Sequence, residues 1–270
     1  MTQPSTIFGE TWRVLAYTLA IALAFIALEQ AQLAVFSLPS TTQLLRRAGL
    51  LDATAQAALQ QQAAQVAEAS GEALLRLPPG HRTAALRLGY ELVYANYLVA
   101  GYAMAPPSIK ASARQRVAPR LAAARGHAAG FGLGEFDLLP ADTLKQFSEV
   151  CQRYEVDENG LAARIEQQAS PLHRHFYLLG AQLGCEAARV DDSGGRFALP
   201  PATPIRRHAV LAGIDEALWQ PLIAEPGDET PAQVQQRYRR AIDMLMVEVA
   251  RQDAADATAP ISGPGAKDPR

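Results

Sequence analysis

The sequence predicts an all-α protein in which an N-terminal membrane-anchor helix precedes a multi-helix domain, an orthogonal or irregular bundle. Three observations predict this class. The chain begins with a long apolar run, proline pairs separate the later segments, and apolar residues in those segments recur every three or four positions. The alternation typical of a strand is confined to residues 196–199. The predicted organisation is an anchor over residues 1–37, a helical domain over 38–252 with a candidate sub-boundary near 126–140, and a disordered tail over 253–270.

The anchor is predicted from the run Val14–Leu28, which has neither a charge nor an amide. As a helix this run reaches about 22 Å. It needs its neighbours, giving a span over residues 12–36, to cross a hydrocarbon core of about 30 Å. No small-x-small site for signal-peptide cleavage follows the run, which favours an uncleaved anchor. A cleaved signal peptide and a buried helix of a soluble protein are the two alternatives.

The basic residues around the anchor predict its orientation. Arg13 precedes the run, whereas Arg46 and Arg47 lie well beyond it, so the positive-inside rule favours an N-terminus in the cytoplasm. Abundant alanine and the preference for arginine over lysine are typical of a GC-rich bacterial genome. We therefore expect a single-pass protein of the bacterial inner membrane with its main domain in the periplasm. The alternative is a second span over residues 86–105, which would leave the C-terminal part in the cytoplasm; Glu91 and Asn96 make such a span costly.

The helices of the domain follow from their start signals and apolar stripes. The first is predicted over Asp52–Leu77, where alanine, glutamine and leucine dominate. Later starts combine a capping residue with a first-turn proline. They are Ser170-Pro171, Thr203-Pro204 with a stripe reaching Leu211, Ile214 and Leu218, and Thr230-Pro231 with Gln233 completing a capping box.

Composition and motifs argue against several classes of function. With 25 basic and 27 acidic residues, the net charge of −2 gives no reason to expect nucleic-acid binding. The pair His173-x-His175 diverges by about 200° on a helix and has no further ligand at metal-site spacing. Gly130–Gly134 lacks the spacing of a phosphate loop and is interpreted as a flexible linker. Runs at Asp157 and Asp191 resemble incomplete calcium loops and are interpreted as helix caps or connections. We expect no metal and no cofactor, and the absence of a local catalytic signature leans against an enzyme.

The two cysteines leave two alternatives open. Cys151 and Cys185 fall in neighbouring predicted helices, so a disulfide is compatible with a periplasmic domain. Because Cys151 shares the apolar stripe of its helix, two buried thiols are the favoured alternative.

Two segments stand out as candidate binding surfaces. Residues 92–134 contain no acidic side chain, and a single-sign surface of this kind suits anionic headgroups or an acidic partner. The segment before it presents tyrosines on one helical face, a residue type common at interfaces. The candidate binding residues are therefore Tyr90, Tyr94, Tyr97, Lys110, Arg114, Arg116, Arg120 and Arg125.

From these features we expect a non-catalytic accessory or assembly protein of a cell-envelope complex, which holds a protein partner near the membrane. The first alternative is a helical protein at the inner membrane that binds a lipid or a small anionic ligand through the basic segment. The second alternative is an enzyme whose catalytic groups come from distant positions.

Overall fold

The predicted all-α class is confirmed for the part of the chain that the structure describes. The computed structural model describes residues 52–74, 78, 80–103, 105–140, 147–192, 202–225 and 227–258. These residues form nine α-helices and no strand. The helices are α1 Asp52–Leu74, α2 His81–Tyr102, α3 Pro107–Ala129, α4 Phe147–Glu155, α5 Leu161–Gln168, α6 Pro171–Asp192, α7 Ala202–Leu211, α8 Glu216–Ile223 and α9 Pro231–Thr258. The predicted anchor over residues 1–37 and the strand candidate at 196–199 lie outside the described residues.

The chain divides into two compact units, residues 1–57 and 58–270. Of the first unit only residues 52–57, the beginning of α1, are described. The candidate sub-boundary near 126–140 lies inside the second unit. None of the described helices is both long and apolar enough to cross a membrane. This finding includes α2, which contains most of the second candidate span.

Helix α6 lies at the centre of the second unit. Every residue from Phe176 to Ala188 is buried, so this helix is covered on all its faces, as expected for a helix with no continuous polar stripe. It packs most extensively against α2, and also against α4, α5, α7 and α9. Helix α3 packs against the outer side of α2, and α8 lies between α7 and α9.

Three glycines let the backbones of α2 and α6 touch. A Cβ atom on Gly180 would lie 1.9 Å from the carbonyl oxygen of Leu86, and one on Gly184 would lie 2.2 Å from that of Tyr90. From the other side, a Cβ on Gly89 would lie 2.1 Å from the carbonyl oxygen of Tyr177. Small residues four apart allow close approach of helices by the same geometry in soluble and membrane proteins. These contacts determine the register of α2 on α6.

One predicted helix start and one candidate helix cap have the expected capping contacts. The Thr230 amide donates to Gln233 Oε1 at 2.7 Å and the Gln233 amide donates to Thr230 Oγ1 at 3.4 Å, which is the predicted capping box of α9. The run at Asp157 is a helix cap rather than a calcium loop. Its carboxylate accepts from the amides of Ala162 and Ala163 at 2.7 and 2.8 Å, at the start of α5.

The helix predicted from Thr203 through Leu218 is two helices. Helix α7 ends at Leu211 and α8 begins at Glu216. Gly213 between them has φ of 69°, a conformation that other residues rarely adopt, and Asp215 caps α8 by accepting from the Ala217 amide at 2.8 Å. The apolar stripe continued across the break because both helices contact the same core.

The last helix continues six residues beyond the predicted start of the tail at residue 253. Asp253 is buried against the beginning of α2, where its carboxylate accepts from the Thr83 amide at 2.7 Å and from Thr83 Oγ1 at 2.6 Å. Arg82 pairs with both Asp253 and Asp256. These contacts with the positive end of α2 hold a segment whose composition alone suggests disorder.

The segment interpreted as a flexible linker is packed. Phe131, Leu133 and Leu139 are buried, and Asn96 of α2 holds the segment with its side chain. Asn96 accepts from the Leu139 amide at 2.9 Å and donates to the Leu139 carbonyl at 3.2 Å. The hydroxyl of Tyr154 also donates to Asn96, at 2.7 Å. The linker interpretation of Gly130–Gly134 is therefore wrong, because glycines here sit between apolar side chains that enter the core.

The structure joins Cys151 of α4 to Cys185 of α6 by a disulfide, with Cα atoms 5.7 Å apart. This is the alternative that the apolar stripe around Cys151 disfavoured. A bridge and two buried thiols look alike in the sequence, because a disulfide between helices is also surrounded by apolar side chains. The distance between the Cα atoms is typical of a disulfide.

Candidate functional site

The candidate binding residues of α3 fall on two flanks of that helix. At 100° per residue, Lys110, Arg114 and Arg125 lie within about 60° of one another. Arg116 and Arg120 lie roughly 130° away, on the other side of the stripe that packs against α2. We call the first group the basic flank. The second group, together with Ile109, is the tyrosine flank, because it faces the tyrosines of α2.

Arg120 connects the tyrosine flank to α2 by two kinds of contact. Its Nη1 donates to Glu91 Oε2 at 2.7 Å. Its guanidinium carbon lies 3.4 Å from the ring centroid of Tyr94 and 5.9 Å from that of Tyr90, which is cation–π geometry. Two predicted tyrosines and one predicted arginine thus meet at one place.

Two distant helices complete this cluster. The Tyr94 hydroxyl donates to Asp191 Oδ2 at 2.5 Å, at the end of α6. Asp191 Oδ1 in turn accepts from Arg239 of α9, with the closer contact at 2.5 Å. We call the assembly the Tyr–Arg cluster; it consists of Tyr90, Glu91, Tyr94, Arg116, Arg120, Asp191 and Arg239.

Arg116 and Arg239 are the exposed cations of the Tyr–Arg cluster, and they differ in their partners. Arg116 lies within hydrogen-bonding reach of the hydroxyl groups of Tyr94 and Tyr102. Among the described residues no carboxylate lies at ion-pair distance from Arg116, in contrast to Arg120 and Arg239. Ile109, two helical turns before it on the same flank, is 45% exposed. The tyrosine flank therefore carries an exposed guanidinium beside tyrosine hydroxyls and, two turns earlier, an exposed apolar side chain.

The tyrosines of the cluster act as hydrogen-bond donors at neutral pH. Burial raises the pKa of Tyr90 to about 12. Burial, followed by the hydrogen bond to Asp191, raises the pKa of Tyr94 as well. A phenol whose pKa lies far above neutral keeps its proton, so neither group suits proton abstraction. The proton of Tyr94 is already donated to Asp191, which leaves its oxygen to accept from a cation such as Arg116.

The remaining candidate residues lie elsewhere. Tyr97 is buried in the core, 4% exposed, although it shares a helical face with Tyr90 and Tyr94. Lys110, Arg114 and Arg125 are on the basic flank, away from the tyrosines. Asp191 and Arg239 have no sequence signal as site residues, because their contribution depends on the packing of α6 and α9 against α2. Tyr102 belongs to the same run of tyrosines in the sequence, and that run is the signal by which it could have been identified as a site residue.

Three of the five histidines, His173, His175 and His208, are buried as structural groups. His173 Nδ1 lies 2.7 Å from the Oγ of Ser170, and His175 Nδ1 lies 3.3 Å from His208 Nδ1 with the two rings stacked. Among the described residues, no group of three or more histidine, cysteine, aspartate or glutamate side chains is arranged to hold a metal ion. His208 Nε2 is buried without a hydrogen-bond partner within the described part of the chain.

We expect acid to destabilise the fold through these histidines. Burial lowers the pKa of His173 and His175 to about 4 and that of His208 to about 3. The unfolded chain therefore binds protons below pH 6.5 that the folded chain excludes. The contribution of these neutral histidines to the free energy of unfolding is fully present above pH 6.5. It is lost as the pH falls towards 4, by up to about 1.4 kcal/mol per pH unit for each histidine. Denaturation at pH 7.5, 6.5, 5.5 and 5.0 measures this loss.

The variant H175Q/H208Q is the control for this prediction. It removes two of the three histidines with the largest shifts, so the slope of unfolding free energy against pH between 6.5 and 5.0 should become shallower. Burial raises the pKa of Glu155 and of Glu186, but both groups are present in the parent and in the double variant, so the difference in slope between the two proteins reports the histidines. An unchanged slope in the double variant would contradict the assignment to the histidines.

Compared with models of known protein families, with curated proteins and with solved structures, the chain gives no match. The geometry of the described residues is therefore the basis for assigning a function.

Proposed function

We propose that this chain is a membrane-anchored, non-catalytic accessory or assembly protein of a bacterial cell-envelope complex. In this proposal the tyrosine flank, together with Tyr94 and Tyr102, binds an acidic segment of a protein partner. The predicted anchor keeps the domain, and with it the partner, close to the membrane.

The observation that carries the proposal is the position of Arg116. Its guanidinium is exposed and is next to two tyrosine hydroxyls, and the exposed apolar side chain of Ile109 lies two helical turns before it on the same flank. Tyrosine and arginine are enriched among the residues that dominate binding energy at protein interfaces. A partner carboxylate that bonds to Arg116 would gain a charge-assisted hydrogen bond, and apolar atoms beside it would cover Ile109.

The Tyr–Arg cluster gives this surface a low entropic cost of binding. Tyr94 is held by Asp191 on one side and by Arg120 on its ring face. Asp191 is itself paired with Arg239, and Arg120 is paired with Glu91. A side chain that is already ordered loses little rotamer freedom when a partner binds, so more of the contact energy appears as affinity.

The disulfide supports the compartment in this proposal. Bridges such as Cys151–Cys185 persist in oxidising compartments and are rare in the bacterial cytosol. A domain carried to the periplasm by an N-terminal anchor would meet that condition. The anchor itself stays a prediction from the sequence.

The proposal predicts different effects for two neighbouring arginines. We expect R116E to weaken partner binding by about 30-fold, because reversal of a central interfacial charge costs roughly 2 kcal/mol. R114E makes the same charge change on the same exposed helix, but on the basic flank, and should leave binding unchanged. The measurement is site-specific photo-crosslinking in the host, with benzoylphenylalanine at position 109. A single adduct of defined mass should form in the parent and in R114E, and disappear in R116E.

The same crosslinking experiment can contradict the assignment of the tyrosine flank as the partner interface. Failure of position 109 to give a discrete adduct, or an adduct that survives R116E, would remove the tyrosine flank as the interface. Equal loss in R114E and R116E would indicate a general effect of charge instead of a defined surface.

A further inference from the structure

Within the described part of the chain, none of the three cations of the basic flank has a carboxylate partner, whereas on the tyrosine flank Arg116 alone lacks one. Lys110, Arg114 and Arg125 have no carboxylate at ion-pair distance among the described residues. On the tyrosine flank, by contrast, Glu91 neutralises Arg120. Helix α3 packs only on α2 to any extent within the described fold, so the outer side of the basic flank is open.

The basic flank also lacks the residue types that anchor protein partners. Ala111 and Ala118 lie beside its cations on the helical surface, and Leu121, which lies among the cations, packs against the core. Among these, Ala111 and Ala118 are exposed, and no aromatic side chain of α3 stands on this side. Lys110 and Arg125 are fifteen residues apart, which is about 22 Å along the helix. The surface is thus an extended row of cations over small side chains, without a pocket-filling group.

We propose that the basic flank of α3 lies on the membrane surface and binds the headgroups of anionic lipids. A row of cations without an aromatic anchor matches a fluid plane of negative charge better than it matches a protein hot spot. The flank lies on the opposite side of the α3 contact stripe from the tyrosine flank. One helix therefore orients the domain on the membrane with one side and presents the partner-binding surface with the other.

This inference rests on the membrane attachment in the proposed function but not on the partner interface. Each basic side chain close to an anionic surface raises the affinity for that surface by on the order of fivefold. Reversal of two of the three cations should therefore lower the affinity of the basic flank for an anionic membrane by more than about 25-fold.

The test uses the full chain in lipid nanodiscs. Both cysteines of the sequence are in the bridge, so A118C introduces a single thiol for a fluorophore on the basic flank. The nanodiscs contain phosphatidylcholine alone or with 30% phosphatidylglycerol, and a small fraction of lipids with a quencher on the headgroup. We expect strong quenching with phosphatidylglycerol, weak quenching without it, and a return to the weak level in 0.5 M salt.

The variants separate this inference from the proposed function. R114E/R125E should reduce quenching to the phosphatidylcholine level, whereas R116E should leave it unchanged. Co-flotation of the chain with vesicles of either composition reports attachment itself; if the chain fails to float, the anchor is wrong. If the chain floats but quenching is equal in both lipids, or survives R114E/R125E, the lipid contact is overturned. Shielding of the fluorophore only when a protein partner is added would likewise overturn it and assign the flank to a protein.

Discussion

Replacing Gly180 by alanine is expected to lower the free energy of unfolding by about 3 kcal/mol or more. Its Cβ would lie 1.9 Å from the Leu86 carbonyl oxygen and 2.8 Å from the carbonyl carbon, both backbone atoms of α2. Backbone cannot rotate away as a side chain can, so α2 and α6 must separate and lose packing along the most extensive helix contact of the fold. Urea denaturation of the full chain in mild detergent, followed by circular dichroism, measures the loss.

Gly126 provides a matched control with the opposite sign. It also lies within a helix, α3, but nothing lies within 4 Å of the Cβ that alanine would add. G126A should therefore stabilise the protein by about 0.5–1 kcal/mol, through the higher helix propensity of alanine. If G180A proved as stable as G126A, the close contact of α2 with α6 would be wrong.

Removal of the disulfide is expected to cost about 3–4 kcal/mol. The bridge joins residues 34 apart in sequence, and chain-entropy arguments for a loop of that length give a value in this range. The replacement C151A/C185A also removes the tie between the short helix α4 and the central helix α6. The measurement is the free energy of unfolding of the oxidised protein, of the reduced protein and of the double variant.

Reduction provides the internal control for this second prediction. A reducing agent should destabilise the parent protein towards the stability of C151A/C185A and leave that variant unaffected. Identical unfolding curves for oxidised and reduced parent protein would contradict the bridge. They would also remove the support that it lends to an oxidising compartment.

Features that depend on a few neighbouring residues could be predicted from the sequence. The capping box of Thr230 and Gln233 is an example, because both hydrogen bonds close within one helical turn. The break at Gly213 was missed for a related reason. The stripe of Leu211, Ile214 and Leu218 reports which side chains contact the core, and it continues whether one helix or two carry them. A positive φ at a glycine is the backbone feature that decides between these cases.

The candidate site was predictable in part. The tyrosine run on α2 and the basic run on α3 are both visible in the sequence, and they do meet at Tyr94 and Arg120. The division of the basic run into two flanks follows only when the side of α3 that packs on α2 is known. Asp191 and Arg239 are separated from Tyr94 by 97 and 145 positions in the sequence, so no local pattern connects them with it.

The sequence by itself determined the helical class, because its apolar period, prolines and capping residues all act within one or two turns. It also indicated which segments carry tyrosine and positive charge. The tertiary structure alone decided which charges are neutralised, which tyrosine is buried and how closely α2 approaches α6. Those properties depend on contacts between residues far apart in the chain, where the register of one helix on another determines which atoms meet.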